Sequence, residues 1–332
     1  MRIIRTETAC LTAPSQSERA ALVGEARTAD NHQRLTRGLD CMNAVEAGGF
    51  AASAEPLTFP LTVAAWNVER CLFPDESAAK IEIFGAGLVL LSEMDCGMAR
   101  TGQKNTTREM ARHLGMDYVF GVEFLELGLG SPTERAYCSD DFNAMGFHGN
   151  ALMSKAAPRD AFKLDLPGRA HWFIEEKTQH RIGDRVAVGA IVDTTHGPLV
   201  AVSTHLESVA DGPYRETQLA AIMDAVEKLA PGLPVIIGGD LNTGNHSGGD
   251  HRTDPLFAMA ETRGYACHGG PADQMSTRPS LITRWPHRAM KLDWFFTRGM
   301  RVAKSWLEPS LDEDGKPLSD HDVLLCQIDT LG

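Results

Sequence analysis

The sequence predicts an α+β domain over residues 61–332, preceded by a helical extension over residues 1–60. Three observations carry this. Short apolar runs of strand length recur from Leu61 onward, each ended by a polar residue. Stretches with helical spacing are interleaved between them. No repeat at a fixed period and no low-complexity tract interrupts the pattern.

Before residue 60, Ser15-Gln16-Ser17-Glu18 reads as a capping box opening a helix, because serine oxygen and glutamate can each satisfy a free backbone N–H. Residues 20–45 predict one or two helices, and Gly48-Gly49 a linker. The segment reads as an arm packed on the main domain; a lid or an oligomer contact is the alternative. Leu61–Trp66 and Gly87–Ser92 then predict strands covered on both faces. Thr106–Leu114 predicts a helix stopped at Gly115. Tyr118–Phe124 and Gly149–Ser154 predict strands on either side of a long polar loop. Arg185–Asp193 and Pro198–Thr204 predict a hairpin turning at Thr194–Gly197. Leu219, Ile222, Met223, Val226 and Leu229 lie on one helical face. Leu233–Gly238, Leu292–Thr297 and Val323–Ile328 are the last predicted strands, with a helix capped at Asp254-Pro255 and closed by Gly264.

The 332 residues are 43% hydrophobic and 23% charged, which suits a globular protein with ample core. The net charge of -12 argues against a surface built to grip phosphate backbones non-specifically. The first residues lack the apolar core of a secretory leader. No apolar run approaches the roughly 20 residues of a membrane span. Seven cysteines at irregular positions, without a C-x-x-C, predict free thiols and a cytoplasmic setting.

Eight polar residues stand at or just past predicted strand ends: Asn67, Glu93, His205, Asp240, Asn242, Asp293, Asp320 and His321. Loops at strand ends let a rigid sheet present side chains to one cleft. Carboxylates gathered there would repel unless a cation neutralised them. An all-oxygen donor set suits Mg²⁺ or Mn²⁺. Asp293 is suited to accept a hydrogen bond from one nitrogen of His321, fixing the tautomer and raising the basicity of the other. Trp66 and Trp294 read as core. His148, His171, His180, His246 and His251 read as surface residues.

The ordered set Trp66-Asn67-Val68-Glu69, Glu93, Thr204-His205-Leu206, Gly239-Asp240-Leu241-Asn242, Leu292-Asp293-Trp294-Phe295-Phe296 and Ser319-Asp320-His321 resembles the endonuclease/exonuclease/phosphatase superfamily. Gly149–Ser154 resembles that family's G-N-A-I-L-S segment. The resemblance covers residues 61 to the end. It implies a four-layer αββα sandwich, two mixed β-sheets face to face with helices outside. It implies a divalent-metal-dependent phosphoesterase working by in-line attack of water. Glu93 would hold the metal, with Asn67 and Asp320 nearby. Asp240 and Asn242 would position or activate the water and bind the scissile phosphate. His205 and His321 would meet the phosphate, with Asp293 orienting His321. Asp240 and His321 both stand as candidates for general base.

The resemblance does not choose the substrate. The leading expectation is a small phosphorylated metabolite or headgroup; the alternative is DNA or RNA. A non-catalytic binding member is a third reading, weakened because every motif residue is present. Arg278, Arg284, Trp285, His287, Arg288 and Lys291 cluster before the Asp293 motif and could hold an anionic group, with Trp285 stacking. Asn150, Arg284, Trp285 and Arg288 are the candidate substrate contacts. Residues 127–148 form a second candidate specificity loop.

Overall fold

The apolar runs become strands buried on both faces. In the computed structural model, which describes residues 2–52, 55–176, 179–282 and 289–332, Leu61, Val63 and Ala65 face the opposite sheet while Ala64, Trp66 and Val68 face an outer helical layer. Both sets are apolar, so the run is nearly continuous rather than alternating.

In chain order the strands are β1 (Arg2–Ile4), β2 (Glu7–Thr8), β3 (Val45–Gly48), β4 (Leu61–Arg70), β5 (Leu88–Cys96), β6 (Asp117–Glu126), β7 (Phe147–Ser154) and β8 (Arg159–Asp165). They continue as β9 (Arg181–Gly183), β10 (Val186–Thr194), β11 (Gly197–His205), β12 (Val235–Asp240), β13 (Ala266–His268), β14 (Asp293–Arg298), β15 (Met300–Glu308) and β16 (Val323–Leu331). The α-helices are α1 (Gln16–Val23), α2 (Ala29–Gly38), α3 (Pro74–Ile83), α4 (Thr106–Leu114), α5 (Pro132–Arg135), α6 (His171–Ile174), α7 (Gly212–Leu229) and α8 (Leu256–Thr262).

The strands form two mixed sheets. One runs β1-β8-β10-β11-β12-β14-β13; the other runs β15-β16-β4-β5-β7-β6-β3-β2, with β9 added to β6. Leu90, Leu152, Ala201, Ile236, Phe295 and Leu324 fill the space between them. Residues of α1 to α4 cover the outer face of the nine-stranded sheet. Residues of α7 and α8 cover that of the seven-stranded sheet. The result is the four-layer α+β sandwich, helix–sheet–sheet–helix.

Helix signals acted largely as read. Ser15 and Glu18 form the capping box of α1. Asn105 caps α4, and Gly115 ends it in the left-handed region at φ 59°. Asp254 departs from its expected role. Its carboxylate accepts from Arg215 Nη2 (2.6 Å) and Gly244 N (3.1 Å), so it makes no side-chain cap for α8.

The segment before residue 60 differs from a purely helical arm. It carries α1 and α2, but β1 pairs with β8 in one sheet while β2 and β3 extend the other beside β6. Gly48 ends β3 rather than opening a linker, and a Cβ there would stand 2.7 Å from the Tyr118 ring. The helices dock onto this end of the sandwich. His32 of α2 packs on Phe173 and accepts from the Gly183 backbone N–H at 3.1 Å.

Beside His32, burial and then the charge of Glu207 push the Asp184 carboxyl up to about 7. A carboxyl raised in the fold holds its proton more tightly there than in the unfolded chain. Its ionisation therefore removes stability as pH rises from about 4 through 7. Asp184→Asn is expected to stabilise the protein at pH 8 by on the order of 2 kcal/mol, with little gain at pH 4, read from urea unfolding at both.

Candidate active site

The cleft lies at one end of the sandwich, where the two sheets offer their strand ends to each other. On the seven-stranded sheet His205, Asp240 and Asp293 stand side by side, His205 opposite Asp240 and Asp240 opposite Asp293. Gly239 makes this spacing possible. Its φ is 145°, and a Cβ there would stand 1.9 Å from the Thr204 carbonyl oxygen, so only glycine lets the two strands approach.

The nine-stranded sheet presents Asn67 and Glu93 from two adjoining irregularities. The β4–β5 register shifts between Asn67 and Arg70, and the β5–β7 register between Leu91 and Met94. Glu93 adopts φ 62°, and Glu69, Arg70 and Cys71 are all at positive φ. Non-glycine residues in this region carry a cost that packing must hold in place. Bulges of this kind re-aim side chains at the end of a sheet.

The residues of the two sheets meet through Asp240. Its Oδ2 accepts from Asn67 Nδ2 at 3.1 Å, and the same Nδ2 reaches Glu93 Oε1 at 3.2 Å. Its Oδ1 accepts from Asn242 N at 2.9 Å. His205 Nε2 stands 3.4 Å and His321 Nε2 3.6 Å from Asp240 Oδ2. His321 Nδ1 is 2.8 Å from Asp293 Oδ2, which also accepts from Ser276 Oγ at 2.6 Å. Asn242 Nδ2 donates to the Leu206 carbonyl at 2.9 Å. Asp320 Oδ1 lies 4.0 Å from His321 Nε2. All eight motif residues therefore belong to one connected cluster.

The Ser319-Asp320-His321 turn is fastened from below. Ser319 Oγ donates to the Asn67 carbonyl at 2.6 Å and accepts from His321 N at 3.0 Å. Trp66 is fully buried core, as expected, but its indole N–H also holds the His321 carbonyl at 2.8 Å.

The histidines differ in charge. Burial, then Arg185, lowers His205 to about 3, so its ring is neutral. Burial also opposes charge on His321, but Asp293 and Asp240 outweigh it and hold the imidazole well above its usual range. Burial raises Asp320 well above the carboxylate range, with Glu69, Glu93 and Asp240 adding to it. Glu93 goes the other way: burial opposes its ionisation, yet Arg70, which contacts it directly, and His205 keep it well below that range.

Several residues here have roles that no motif announces. Glu69 accepts from Leu281 N (3.0 Å) and Ile282 N (3.1 Å) and contacts Ser280 Oγ, clasping the loop beside the cleft. Arg70 joins Glu93 to a buried ion network of Glu134, Arg100, Asp95, Glu126 and Arg181. Arg185 binds Glu123 at 2.6 Å behind His205. Charged residues in mixed loops look alike in sequence until the fold buries them.

Other expectations need correcting. Asn150 is fully buried, and its Nδ2 donates to the Val186 carbonyl at 2.8 Å rather than into the cluster. Lys291 is buried, its Nζ donating to the Gln274 carbonyl at 3.0 Å. Arg278 pairs with Asp322 at 2.7 Å. Neither is a free cation. Arg284, Trp285, His287 and Arg288 lie outside the described residues. The loop over 127–148 contains α5, whose Glu134 is buried in the ion network. His148 is no surface residue: it is buried, with Nδ1 2.9 Å from Asp95 Oδ1.

The donor chemistry fits a hard divalent cation. Glu93 and Asp320 bring carboxylate oxygens to the rim, with Glu69 and Asp240 adding negative charge around Asp320, while Asn67 turns its Nδ2 to Glu93 and its Oδ1 accepts from Glu69 N at 3.0 Å. Asp240, Asp293 and His321 also offer atoms within 4.8 Å of one another. Asp293 and His321 already satisfy each other there, which favours proton handling over ligation.

Among curated proteins, none matches the sequence. Solved structures with this fold include an endonuclease/exonuclease/phosphatase from Beutenbergia cavernae, 19% identical, TM-score 0.56, covering 82% of this chain and 72% of that one. The human Nocturnin catalytic domain with bound sulfate is 15% identical, TM-score 0.55, covering 86% and 97%. D. rerio TDP2 complexed with a single-strand DNA product is 16% identical, TM-score 0.52, covering 81% and 99%. Among the described residues, no helix is long and apolar enough to cross a membrane. The model of the Endonuclease/Exonuclease/phosphatase family matches residues 64–321, and this chain belongs to that family.

Proposed function

We propose that the protein is a divalent-metal-dependent phosphoric ester hydrolase. The observation that carries this reading is the unbroken chain Ser276–Asp293–His321–Asp240–Asn67–Glu93, which crosses from one sheet to the other. Glu93 and Asp320, with Asn67, would hold Mg²⁺ or Mn²⁺. Such an ion supplies charge neutralisation at phosphorus and at the leaving oxygen.

The chain's own groups divide the remaining work. His321, held as an imidazolium by Asp293 and Asp240, meets the negative charge that develops on the phosphoryl oxygens. His205, neutral, donates a hydrogen bond to the same group. Asn242 and Asn67 add contacts without adding negative charge. Asp240 is the group left to orient the water and accept its proton as the new P–O bond forms and the ester bond breaks. Of the two base candidates, the protonation of His321 favours Asp240.

Glu93→Gln is expected to weaken Mn²⁺ binding at least about tenfold by calorimetry, because one charged ligand is lost while the Arg70 contact remains. Unchanged affinity would move the ion elsewhere.

For the substrate, a small phosphorylated metabolite or headgroup is favoured over nucleic acid by the net charge of -12 and by the engagement of Arg278 and Lys291 within the protein. The D. rerio TDP2 complex with single-strand DNA keeps a nuclease as the second reading. A salt titration separates them. A nuclease surface predicts binding to single-stranded DNA that falls steeply with log salt, by a slope near 0.7 per phosphate contact. The leading reading predicts no such binding. Seven free cysteines, four of them buried, support a reducing, cytoplasmic setting.

A further inference from the structure

A cavity of about 360 Å³ lies between the N-terminal segment and the seven-stranded sheet. It opens on the same rim as the cleft. Thr204, Ala187, Leu164 and Ile3 stand in one row across β11, β10, β8 and β1. One residue further along these strands come His205, Val186, Asp165 and Arg2. Strand spacing puts Asp165 roughly 10 Å from His205. Glu123, which lines the cavity, is paired to Arg185 at 2.6 Å, and Arg185 also stands 3.5 Å from Glu207.

The floor carries two cations and one carboxylate. Lys163 is 1% exposed, an extreme position for an ammonium. Its Nζ donates to the carbonyls of Met42 (2.9 Å) and Val122 (3.1 Å), and Asp165 stands 3.7 Å away. Arg2 Nε donates to that same Asp165 at 2.6 Å. Arg2 Nη2 also stands 2.6 Å from Asp165 Oδ2, and Arg2 Nη1 donates to Asn43 Oδ1 at 2.7 Å, whereas the buried Thr36 Oγ1 makes no hydrogen bond; Arg2 and Thr36 both line the cavity.

The rim adds Arg37 and Arg169, neither paired with a carboxylate among the described residues. The Arg169 guanidinium lies 4.4 Å from the Tyr214 ring centroid. The acidic groups are largely answered already. Asp30 sits in the first turn of α2, where the helix terminus favours it. Asp184 accepts from Ala170 N at 3.1 Å and faces His32. Glu123 is paired with Arg185. The unanswered charge is positive, and it surrounds a space of metabolite size.

We propose that this cavity binds a small organic anion, a phosphate- or carboxylate-bearing metabolite whose anionic group is held by Arg37 and Arg169 over the Lys163 ammonium. Eight of the nineteen residues lining it precede the family-matched segment 64–321. The site therefore belongs to this chain's own N-terminal segment, and it is independent of the chemistry assigned to the cleft.

The test is calorimetry on the full chain with inorganic pyrophosphate and with citrate, in EDTA so that no divalent ion bridges the probe to the cleft. Wild type and His321→Ala are expected to bind at least one probe with equal affinity. Arg169→Gln and Lys163→Met are expected to weaken it at least about tenfold. Arg169 is an exposed residue, so its variant reads the site even where Lys163→Met fails to fold. Pyrophosphate alone would mark a phosphate ligand, and citrate alone a carboxylate. No binding of either probe to wild type, or binding lost in His321→Ala and kept in Arg169→Gln, would overturn the proposal.

Discussion

His321→Ala is expected to lower turnover by about 10²–10⁴-fold, with a much smaller change in KM and a cooperative fold retained. The imidazole is placed from three sides. Asp293 holds Nδ1 at 2.8 Å, Trp66 holds the backbone carbonyl, and Ser319 holds the backbone N–H. That leaves Nε2 directed toward Asp240, 3.6 Å away. A group so fixed stabilises transition-state charge without reorganising. The variant leaves the Trp66 and Ser319 contacts intact, since both go to backbone. It also leaves Asp293 its bond from Ser276. Folding should survive while the rate collapses. Steady-state kinetics with a thermal melt on the same sample separates the two. A rate within about threefold of wild type would remove His321 from the mechanism.

The second large effect concerns stability. Arg100→Met is expected to destabilise the protein by about 3–5 kcal/mol. Arg100 is 3% exposed and holds three buried carboxylates. It is bidentate to Asp95 at 2.7 and 2.8 Å, meets both oxygens of Glu126, and reaches Glu134 at 2.9 Å. Burial opposes ionisation of Glu126 and Glu134, yet Arg100 and its neighbours keep both below the usual range. A depressed carboxylate contributes stability that is present above its unfolded pKa and lost as pH falls. Without Arg100 the sign reverses: stranded carboxylates take up protons in the fold, so the variant loses most at high pH. Urea unfolding at pH 5.5 and 8 should show the larger deficit at pH 8. A deficit below about 1 kcal/mol at both would mean the network is not buried as described.

The cleft was legible because its residues stand beside recognisable apolar runs, although β4 and β5 continue past Asn67 and Glu93 to Arg70 and Cys96. Asn67, Glu93, His205 and Asp240 each follow an apolar run, and a run buried on both faces announces itself by composition. What escaped reading acts only through tertiary contacts. Ser276 has no motif around it, yet it orients Asp293. Glu69 sits inside a quoted motif, but only the fold reveals that it grips residues 280–282. The three N-terminal strands are two to four residues long, too short for any periodicity to show. The edge strand β15 buries only one of its nine residues, so it lacks the apolar signature of the central strands. Asp254 looked like a helix cap because cap and ion-pair partner are the same residue type.

The most direct test of the central claim is hydrolysis of bis(p-nitrophenyl) phosphate and p-nitrophenyl phosphate, in EDTA, Mg²⁺ and Mn²⁺, by wild type and His321→Ala. The proposed site predicts cleavage of at least one ester that requires the added ion and is lost in the variant. Cleavage undiminished by EDTA, or equal in the two proteins, would contradict it.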